Sequence, residues 1–430
     1  MNKVLASTLL LLSLSSYAGA QGRVESFVRQ NPLRSALNKH CYEVLDSTVT
    51  KAPCGYKAFY ISHFSRHGSR GFNRESEYAY LDTLMSFQAK GLLTPEAGSL
   101  IPIIRSCKER NLELGYGALT LKGEQEHIGI ARRMRSNYPS VFNDTSRRVV
   151  NCFSTFSSRV MKSRDCFVGS LVSECPGLSV RKALSTESPF ARSEVLITSL
   201  TEEQKSELAE VHTSPLRDSI LAAFDWSRLQ KATFVSGEVP SNWKGKEGIL
   251  FYHIYSTGAI RQCFILEGTG WVEPFFTSDE LYTFWAAGNP AILCNWGWCS
   301  ENKGYKALNA SSLIERIIAD ADAVIEGADT CATLRFSHDS QILPLLCLMG
   351  VDWNDFHGPM SEANEHFCSS YSIHMAANLQ LVFFRNRRDK VLVKILLNEL
   401  ETTIPGLKPD RKDLFYDWDN LKAWLLSRSI

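Results

Sequence analysis

The sequence predicts an α/β fold with a mixed central sheet and a mainly helical insertion. Short apolar runs typical of buried strands alternate with amphipathic helical segments in the first and last parts of the chain. Residues 379–384 and 391–397 form two strand-like runs joined by a charged turn, which predicts an antiparallel hairpin within the sheet. Residues 185–310 are less regular and rich in aromatic side chains. We therefore expect this middle segment to form a cap over the ligand-binding edge of the sheet.

The individual elements follow from local patterns. Strands are predicted at 59–64, 149–153, 332–336, 379–384 and 391–397, and helices at 78–89, 120–138, 158–171, from 312 and from about 340. Thr120 is the expected N-cap of its helix, and Ser312 with Glu315 has the spacing of a capping box.

Length and charge limit the classes of function. The 430 residues are sufficient for a large core and two or three domains. The 47 basic and 46 acidic residues give a formal net charge of +1, so the chain as a whole has no attraction for nucleic acid or an anionic membrane. Any affinity for a polyanion must come from a local basic pocket.

The N-terminus has the features of a secretory signal peptide over residues 1–20. Lys3 precedes a mostly apolar run over 4–14, and Ala18-Gly19-Ala20 is a small-x-small cleavage site. The apolar run is too short to span a bilayer, and no other long apolar stretch follows. We expect an exported protein, periplasmic or extracellular, without a membrane span in the mature chain. An uncleaved N-terminal anchor is the alternative.

All 12 cysteines follow the predicted cleavage site, and an even count in an exported chain suggests disulfides. The nearest local pairs are Cys41 with Cys54 and Cys294 with Cys299. Zinc competes as an explanation of the second pair, but no other close Cys/His pair accompanies it. Some of the cysteines can instead be buried free thiols, as expected for Cys331 and Cys347 in apolar segments.

The most informative motif is Arg66-His67-Gly68-Ser69-Arg70, which directly follows a predicted strand. Ligands of α/β sheets bind at the carboxyl ends of strands. Guanidinium groups match phosphate oxygens in bidentate geometry, and an imidazole between them can attack phosphorus. The alternative is an ordinary surface Arg-His pair.

A second motif, His338-Asp339, follows another predicted strand. If both strands belong to one sheet, Asp339 can face His67 and protonate a leaving alkoxide, while His338 donates to the phosphoryl group. Taken alone, Asp339 could simply cap the following helix.

The chain resembles the histidine acid phosphatases, branch 2 of the histidine phosphatase superfamily, and in particular bacterial relatives of multiple inositol polyphosphate phosphatase and phytase. Residues 64–70 match the catalytic motif of that family closely, and the distal His338-Asp339 supports the match. Segments 117–123, 157–159, 375–380 and 393–398 also resemble family segments. The resemblance implies a three-layer, phosphoglycerate-mutase-like core over 21–184 and 311–430, with a cap over 185–310 and part of 75–116.

The same resemblance implies roles for individual residues. His67 would become phosphohistidine, and Asp339 would be the proton donor. The phosphate would be bound by Arg66, Arg70, Arg159 and His338. Arg159 could also be a solvated helix residue. The inositol polyphosphate branch often carries His-Ala-Glu at the distal site, where this chain has His338-Asp339-Ser340, so the substrate and the first phosphate removed stay open.

Further residues can widen the basic pocket for a highly phosphorylated ligand. Arg74 and Lys162 are such residues, although each taken alone is more typical of a solvated surface, and His374 can line the pocket or have a structural or surface role. His357, His366 and His374 show no metal-ligand spacing, and the expected mechanism uses no metal and no cofactor. His63, on the strand before the motif, is expected to be a packed histidine.

The predicted function is therefore that of an exported phosphomonoesterase acting on small phosphorylated molecules, preferably phytate or another inositol polyphosphate. A broad-specificity acid phosphatase is the nearest alternative. A phosphoglycerate mutase shares the Arg-His-Gly core, but the predicted signal peptide, Arg70 and His338-Asp339 argue against it. A catalytically dead polyanion-binding protein on the same fold is the non-enzymatic alternative. The sequence makes no prediction of oligomeric state.

Overall fold

The computed structural model describes residues 22–46, 48–184, 200–264, 275–410 and 414–429. The predicted signal peptide lies outside the described residues, as do two segments of the predicted cap, 185–199 and 265–274.

The described residues form a mixed, eight-stranded sheet. Its strands are β1 Lys57–Arg66, β2 Val149–Ser154, β3 Ser179–Leu184, β4 Thr330–Ser337, β5 Asn378–Arg385, β6 Val391–Leu397, β7 Leu400–Glu401 and β8 Phe415–Asp417. The order is β3-β2-β4-β1-β5-β6-β7, with β8 also paired to β6. Strands β3, β2, β4 and β1 run parallel, whereas β5 and β6 form the predicted antiparallel hairpin next to β1. The predicted mixed sheet is confirmed.

Helices surround the sheet and fill the middle of the chain. The α-helices of at least seven residues are α1 Arg23–Arg29, α2 Ala79–Ala89, α3 Leu100–Leu114, α4 Leu121–Asn137, α5 Ser158–Glu174, α6 Glu202–Ala209, α7 Ser214–Ala223, α8 Ser227–Thr233, α9 Glu247–Ala259, α10 Ser278–Trp296, α11 Ser311–Ile325, α12 Asp339–Met349 and α13 Trp418–Arg428. Short helical turns lie at Pro32–Lys39, Glu75–Tyr78, Pro95–Gly98, Pro139–Phe142, Ser241–Trp243, Ile260–Cys263, Ala307–Ala310, Met360–Glu362, Ala363–His366 and Ser369–Ser372.

The sheet lies between two layers of helices, because alternate strand residues enter different apolar clusters. Tyr60 and Phe383 pack with residues of α11, α12 and α13 on one face, whereas Ile61 and Val382 pack with residues of α4 and α5 on the other. Every residue of β1 after Lys57 is buried, as expected for a strand covered on both faces. The predicted three-layer core is confirmed.

Helix starts agree with the sequence predictions except at α11. The Thr120 side chain accepts a hydrogen bond from the Gly123 N–H at the start of α4, as expected of an N-cap. The predicted capping box of Ser312 and Glu315 is wrong. Helix α11 begins one residue earlier, at Ser311, and its N-cap Ala310 has no hydroxyl to accept a hydrogen bond.

A separate apolar cluster joins the helices of the predicted cap. It includes Leu84 and Ile104 from the 75–116 segment together with Leu250 and Phe284 from the middle of the chain. The mainly helical character of this region agrees with the predicted fold class, while the domain boundaries at 184 and 311 stay predictions.

The cysteines agree with the sequence prediction only in part. The thiols of Cys294 and Cys299 are both buried and interact with each other, but they are free and form no disulfide. Cys41 is buried and does not pair with the exposed Cys54; its Sγ lies 3.7 Å from the Sγ of Cys263 instead. Cys331 and Cys347 are buried thiols. Within the part of the chain that the structure describes, no helix is long and apolar enough to cross a membrane.

Candidate active site

The two sequence motifs meet because their strands are neighbours. Strands β1 and β4 are parallel, and Arg66 at the end of β1 is in register with Ser337 at the end of β4. The His67 N–H donates to the Ser337 carbonyl over 2.9 Å. The next residues along both strands, His67 and His338, therefore lie at one edge of the sheet, with ring centroids 5.5 Å apart.

His67 is held in one tautomer. Its Nδ1 lies 2.9 Å from the Gly68 carbonyl oxygen, and because a carbonyl only accepts, Nδ1 carries the hydrogen. The Nε2 atom then carries no hydrogen and keeps a lone pair that can act as a base or a nucleophile. Burial lowers the pKa of His67 well below its usual value, and the charges of Arg66, Arg70 and nearby cations lower it further. The imidazole is therefore neutral and nucleophilic even in mild acid.

Three arginines converge around His67. Arg66 is anchored by the carbonyl oxygens of Asn38 and Ile373, and Arg70 donates to the Gly71 carbonyl. Burial lowers the pKa of Arg159 to about 10, and the charge of Arg70 contributes. The Nε atoms of all three guanidinium groups are buried and find no acceptor among the described residues.

These unpaired donors indicate an anionic ligand. A buried N–H without an acceptor costs free energy, on the order of 1–3 kcal/mol, which a ligand with several oxygens would recover. Three guanidinium groups around one imidazole match the three non-bridging oxygens of a phosphoryl group.

Asp339 is the carboxylate nearest these arginines. Its Oδ2 lies 2.7 Å from Arg66 Nη2 and accepts a 2.8 Å hydrogen bond from Asn38 Nδ2. Burial acts to raise the pKa of Asp339, but the charges of Arg66 and Arg70 outweigh it and the net shift is downward. Its Oδ1 accepts from the Ser340 N–H in the first turn of α12. Asp339 is the first residue of that helix and His338 is its N-cap, so the alternative interpretation of Asp339 as the cap is wrong.

His338 connects the distal motif to the third arginine. Its Nδ1 lies 3.4 Å from Arg159 Nη2, and its Nε2 lies 3.2 Å from Thr155 Oγ1. Because Arg159 can only donate, Nδ1 accepts and Nε2 bears the hydrogen. Burial and the charge of Arg159 lower the pKa of His338 to about 4. In the free site the Nε2–H of a neutral His338 therefore donates to Thr155 Oγ1.

Two glycines allow the motif loop to approach α4 closely. A Cβ on Gly68 would lie 2.4 Å from the Gly123 carbonyl oxygen, and a Cβ on Gly123 would lie 2.3 Å from the Ser69 carbonyl oxygen. No larger residue fits at either position without moving backbone. The contact fixes the loop that carries His67 and Arg70.

Sequence reasoning missed three residues that hold this loop. The partly buried carboxylate of Glu126 accepts from the Ser69 N–H over 2.7 Å and from the Ser69 hydroxyl over 2.6 Å. Ser163 Oγ accepts from the Gly68 N–H over 3.1 Å. Asn38 contacts both Arg66 and Asp339.

Helical spacing is the feature of the sequence that could have indicated two of these residues. Glu126 lies three residues after Gly123, and Ser163 lies four residues after Arg159, so each pair shares one face of a helix. No pattern in the sequence marks Asn38.

The three additional pocket candidates have different surroundings. Arg74 is exposed at the start of the turn Glu75–Tyr78. Lys162 is about half exposed and forms an ion pair with Glu124. His374 is buried and its Nδ1 donates to the Met375 carbonyl, with burial lowering its pKa to about 3. None of the contacts found for these three residues is with His67 or its arginines, so their part in a substrate pocket stays a prediction.

The remaining histidines have packing contacts. His63 is fully buried, with its ring centroid 5.0 Å from that of Phe167. His357 stacks on Trp298 and His366 on Phe356. Among the described residues no three His, Cys, Asp or Glu side chains are grouped as metal ligands.

Comparison with known proteins agrees with this geometry. Residues 62–233 match the histidine phosphatase superfamily (branch 2), which confirms the resemblance seen in the motifs. The matched segment includes Arg66, His67, Arg70 and Arg159, whereas His338 and Asp339 lie beyond it. No protein of curated function matches the chain.

The fold is similar to that of several solved structures. The multiple inositol polyphosphate phosphatase of Bifidobacterium longum, in complex with inositol hexasulfate, gives a TM-score of 0.75 at 18% identity over 92% of this chain and 98% of that one. Its complex with phosphate gives 0.76 at 18% identity over the same shares. The phytase from D. castellii gives 0.68 at 13% identity, over 93% of this chain and 85% of that one. At such identities the likeness establishes the fold alone.

Proposed function

We propose that this chain, whose residues 62–233 match the histidine phosphatase superfamily (branch 2), is an exported phosphomonoesterase that works through a phosphohistidine at His67. The observation that carries the proposal is the free Nε2 of His67 among three guanidinium groups with unpartnered Nε–H donors. An imidazole in this setting is neutral, nucleophilic and surrounded by the charges that phosphoryl transfer requires.

In the first step the substrate phosphate binds Arg66, Arg70, Arg159 and His338, whose Nε2–H exchanges Thr155 for a phosphate oxygen. The lone pair of His67 Nε2 forms a bond to phosphorus as the ester P–O bond breaks. The electron pair of that bond leaves with the alkoxide oxygen, which takes a proton from Asp339. The products are phosphohistidine, the free alcohol and the Asp339 carboxylate.

In the second step a water molecule attacks phosphorus. Asp339 takes its proton, the P–N bond breaks, and the electron pair returns to Nε2 of His67. Inorganic phosphate leaves, and both His67 and Asp339 regain their starting protonation states. Every proton and electron pair is accounted for by these two side chains and water.

Substrate binding prepares Asp339 for its role as an acid. In the free site Arg66 and Arg70 hold the pKa of Asp339 below its usual value. A bound phosphate brings negative charge to the same guanidinium groups, so their positive charge stabilises the Asp339 carboxylate less. The phosphate also repels that carboxylate directly. Both effects raise the pKa of Asp339 when a substrate is present. The carboxyl is thus protonated when the leaving group needs it.

We further propose that the preferred substrate is phytate or another inositol polyphosphate. This finer assignment is supported by similarity of fold to a multiple inositol polyphosphate phosphatase and to a phytase. The distal His338-Asp339 does not contradict it, since an aspartate can carry out the same proton transfer as a glutamate. A broad-specificity acid phosphatase is the second candidate, favoured by that same departure from His-Ala-Glu.

The test is phosphate release by the protein from inositol hexakisphosphate, sugar phosphates and p-nitrophenyl phosphate, measured in the presence of chelator. We expect turnover of all three types and the highest kcat/KM with inositol hexakisphosphate. A His67→Ala variant should lose turnover, whereas His212→Ala, at an exposed position, should keep it. Binding of the polyphosphate without phosphate release would favour the catalytically dead alternative. Interconversion of phosphoglycerates without net release would favour a mutase.

A further inference from the structure

The N-terminal turn Pro32–Lys39 brings an additional positive charge to the catalytic site. Asn38, its penultimate residue, accepts from Arg66 through its carbonyl oxygen and donates to Asp339 through its side chain. Lys39 follows directly, and its carbonyl oxygen lies 3.6 Å from Cys263 Sγ at the end of the cap turn Ile260–Cys263. Lys39 therefore sits where the core and the cap meet.

The ammonium group of Lys39 lies near the loop that follows the catalytic motif. Its Nζ is 5.5 Å from the centre of the Phe72 ring, and Phe72 belongs to the loop that carries Arg70. Burial lowers the pKa of Lys39, and the charges of Arg70 and Arg66 lower it further against the opposing effect of Glu77. Both arginines therefore disfavour the protonated form of this amine.

Lys39 has no counter-ion within the described parts of the chain. Glu77 is the carboxylate that acts on it most strongly, but it forms no ion pair with Lys39 and instead accepts from the Asn73 and Arg74 N–H groups. Lys162, by contrast, is paired with Glu124. A partly buried cation without a partner is unfavourable, and repulsion from the arginine charges adds to the cost.

The position of Lys39 relative to the arginines and the cap indicates which part of a substrate it can reach. The three arginines already supply the donors for one phosphoryl group, and Arg66 is shared with Asp339. The charge of Lys39 also acts on His253 of the cap helix α9. Lys39 also lines a small cavity with Tyr252 and Ser256 of α9. Its side chain therefore lies between the motif loop and the cap, on the side where we expect the rest of a large substrate to extend.

We propose that Lys39 binds a phosphate group of the substrate other than the one transferred to His67, and so favours polyphosphorylated esters over monophosphates. This inference rests on the proposed function and names a residue that selects the substrate class. A compact ammonium with three donors can meet a phosphate in many orientations, as a site for successive partly dephosphorylated substrates requires.

The first test compares two substrates in a Lys39→Met variant, which keeps the length of the side chain and removes its charge. We expect kcat/KM for inositol hexakisphosphate to fall at least 10-fold and kcat/KM for p-nitrophenyl phosphate to change less than about 2-fold. Lys39→Arg should restore most of the loss. Lys303→Met is the matched control, because Lys303 is exposed and paired with Glu207; both substrates should be unaffected.

Equal losses on the two substrates would overturn the proposal, because Lys39 would then act on the transferred phosphoryl group or on folding. Unchanged kinetics on both would also overturn it, while leaving the phosphatase assignment intact.

The second test does not depend on turnover and so separates this inference from the proposed function. Calorimetry would measure the affinity of the wild type and of Lys39→Met for inositol hexasulfate and for inorganic phosphate. We expect binding of the hexasulfate to weaken at least 10-fold and binding of phosphate to change little. Equal affinity of the two proteins for the hexasulfate would refute the role of Lys39, even if the wild type hydrolyses every ester offered.

Discussion

Arg66 and Asp339 form an ion pair, with 2.7 Å between Nη2 and Oδ2, at the point where β1 and β4 end side by side. The two residues have opposite tasks in the proposed reaction: one stabilises charge on phosphate and the other gives up a proton. In the free site each holds the other in its charged form. A phosphate that binds Arg66 therefore changes the acidity of Asp339 directly, which couples substrate binding to proton transfer.

An Asp339→Asn variant tests that proton transfer. Asparagine keeps the shape and can still accept from Asn38 after rotation, but it cannot protonate a leaving alkoxide. We expect kcat to fall by about 10²–10⁴-fold for alkyl phosphates such as inositol hexakisphosphate. The loss for p-nitrophenyl phosphate should be much smaller, because nitrophenolate leaves without a proton. Comparable losses on the two esters would exclude Asp339 as the acid, and Asp279→Asn, at an exposed ion pair, serves as the control.

The pH dependence of kcat/KM tests the state of His67. Burial and the surrounding arginines lower the pKa of His67 well below its ordinary value of 6.5, so it stays unprotonated as the pH falls through that value. We expect kcat/KM for p-nitrophenyl phosphate to hold as the pH is lowered from 6.5 to about 5. Removing a nearby charge with Arg159→Met should raise the pKa of His67 and move the acidic limb to higher pH. An acidic limb centred near 6.5 in the wild type would contradict this account.

Much of the site was predictable because strand ends and charge are local properties of the sequence. Arg66-His67 and His338-Asp339 each follow an apolar run, and the parallel pairing of those two runs brings them together. Asn38 and Lys39 were not predictable, because they reach the site through the irregular turn Pro32–Lys39, where Leu37 has a positive φ of 59°. A turn of this kind has no hydrophobic periodicity from which its course could be predicted.

The contacts that hold the motif loop could not be predicted from the sequence either, for a physical reason. Glu126 accepts from Ser69, but a partly buried acidic residue in an amphipathic helix has the same pattern as a solvated one until its partner is known. The expected pairing of Cys41 with Cys54 was wrong for a similar reason. Short separation in the chain favoured Cys41 with Cys54, whereas the fold places Cys41 against Cys263, which is distant in sequence.

A Gly123→Ala variant tests the close approach of the motif loop to α4. The new Cβ would lie 2.3 Å from the Ser69 carbonyl oxygen, so the loop carrying His67 and Arg70 must move. We expect a loss of stability of about 1–3 kcal/mol, measured by denaturant unfolding, together with a fall in kcat of at least 10-fold. Gly169→Ala is a matched control: Gly169 lies within α5 with no atom within 4 Å of the added methyl, so helix propensity should make it neutral or slightly stabilising. Equal behaviour of the two variants would show that the contact is unimportant.

His63 gives a prediction for stability in acid. Burial, with a contribution from His127, lowers the pKa of His63 to about 3, and neither of its ring nitrogens has a partner among the described residues. Between the ordinary pKa and this lowered value the unfolded chain binds a proton that the folded chain does not. Stability therefore falls as the pH drops from about 6.5 towards 3, by up to about 1.4 kcal/mol for each pH unit in that window. A His63→Leu variant should show a shallower fall.

The measurement is the free energy of unfolding in urea at several pH values between 7 and 4. The matched control is His212→Leu, at an exposed position, which should keep the wild-type slope. A His63→Leu variant that loses stability as steeply as the wild type would mean that acid sensitivity arises at other groups.

The buried pair Cys41 and Cys263 gives a last prediction, which concerns the oxidised protein. Their Sγ atoms lie 3.7 Å apart, and a bond between them would join the segment next to Ser69 to the cap. With oxidised glutathione as the oxidant, the two thiols should lose two electrons and two protons to the added disulfide, which becomes two glutathione thiols. Non-reducing peptide mapping by mass spectrometry should then detect the Cys41–Cys263 link. Denaturant unfolding should show that the oxidised protein is more stable by about 2–4 kcal/mol, and Cys41→Ser should abolish both effects. Cys368→Ser, whose thiol contacts Ser370, should leave the link in place. If Cys41 and Cys263 are both alkylated as free thiols after this treatment, the two sulfur atoms do not approach closely enough in solution to bond.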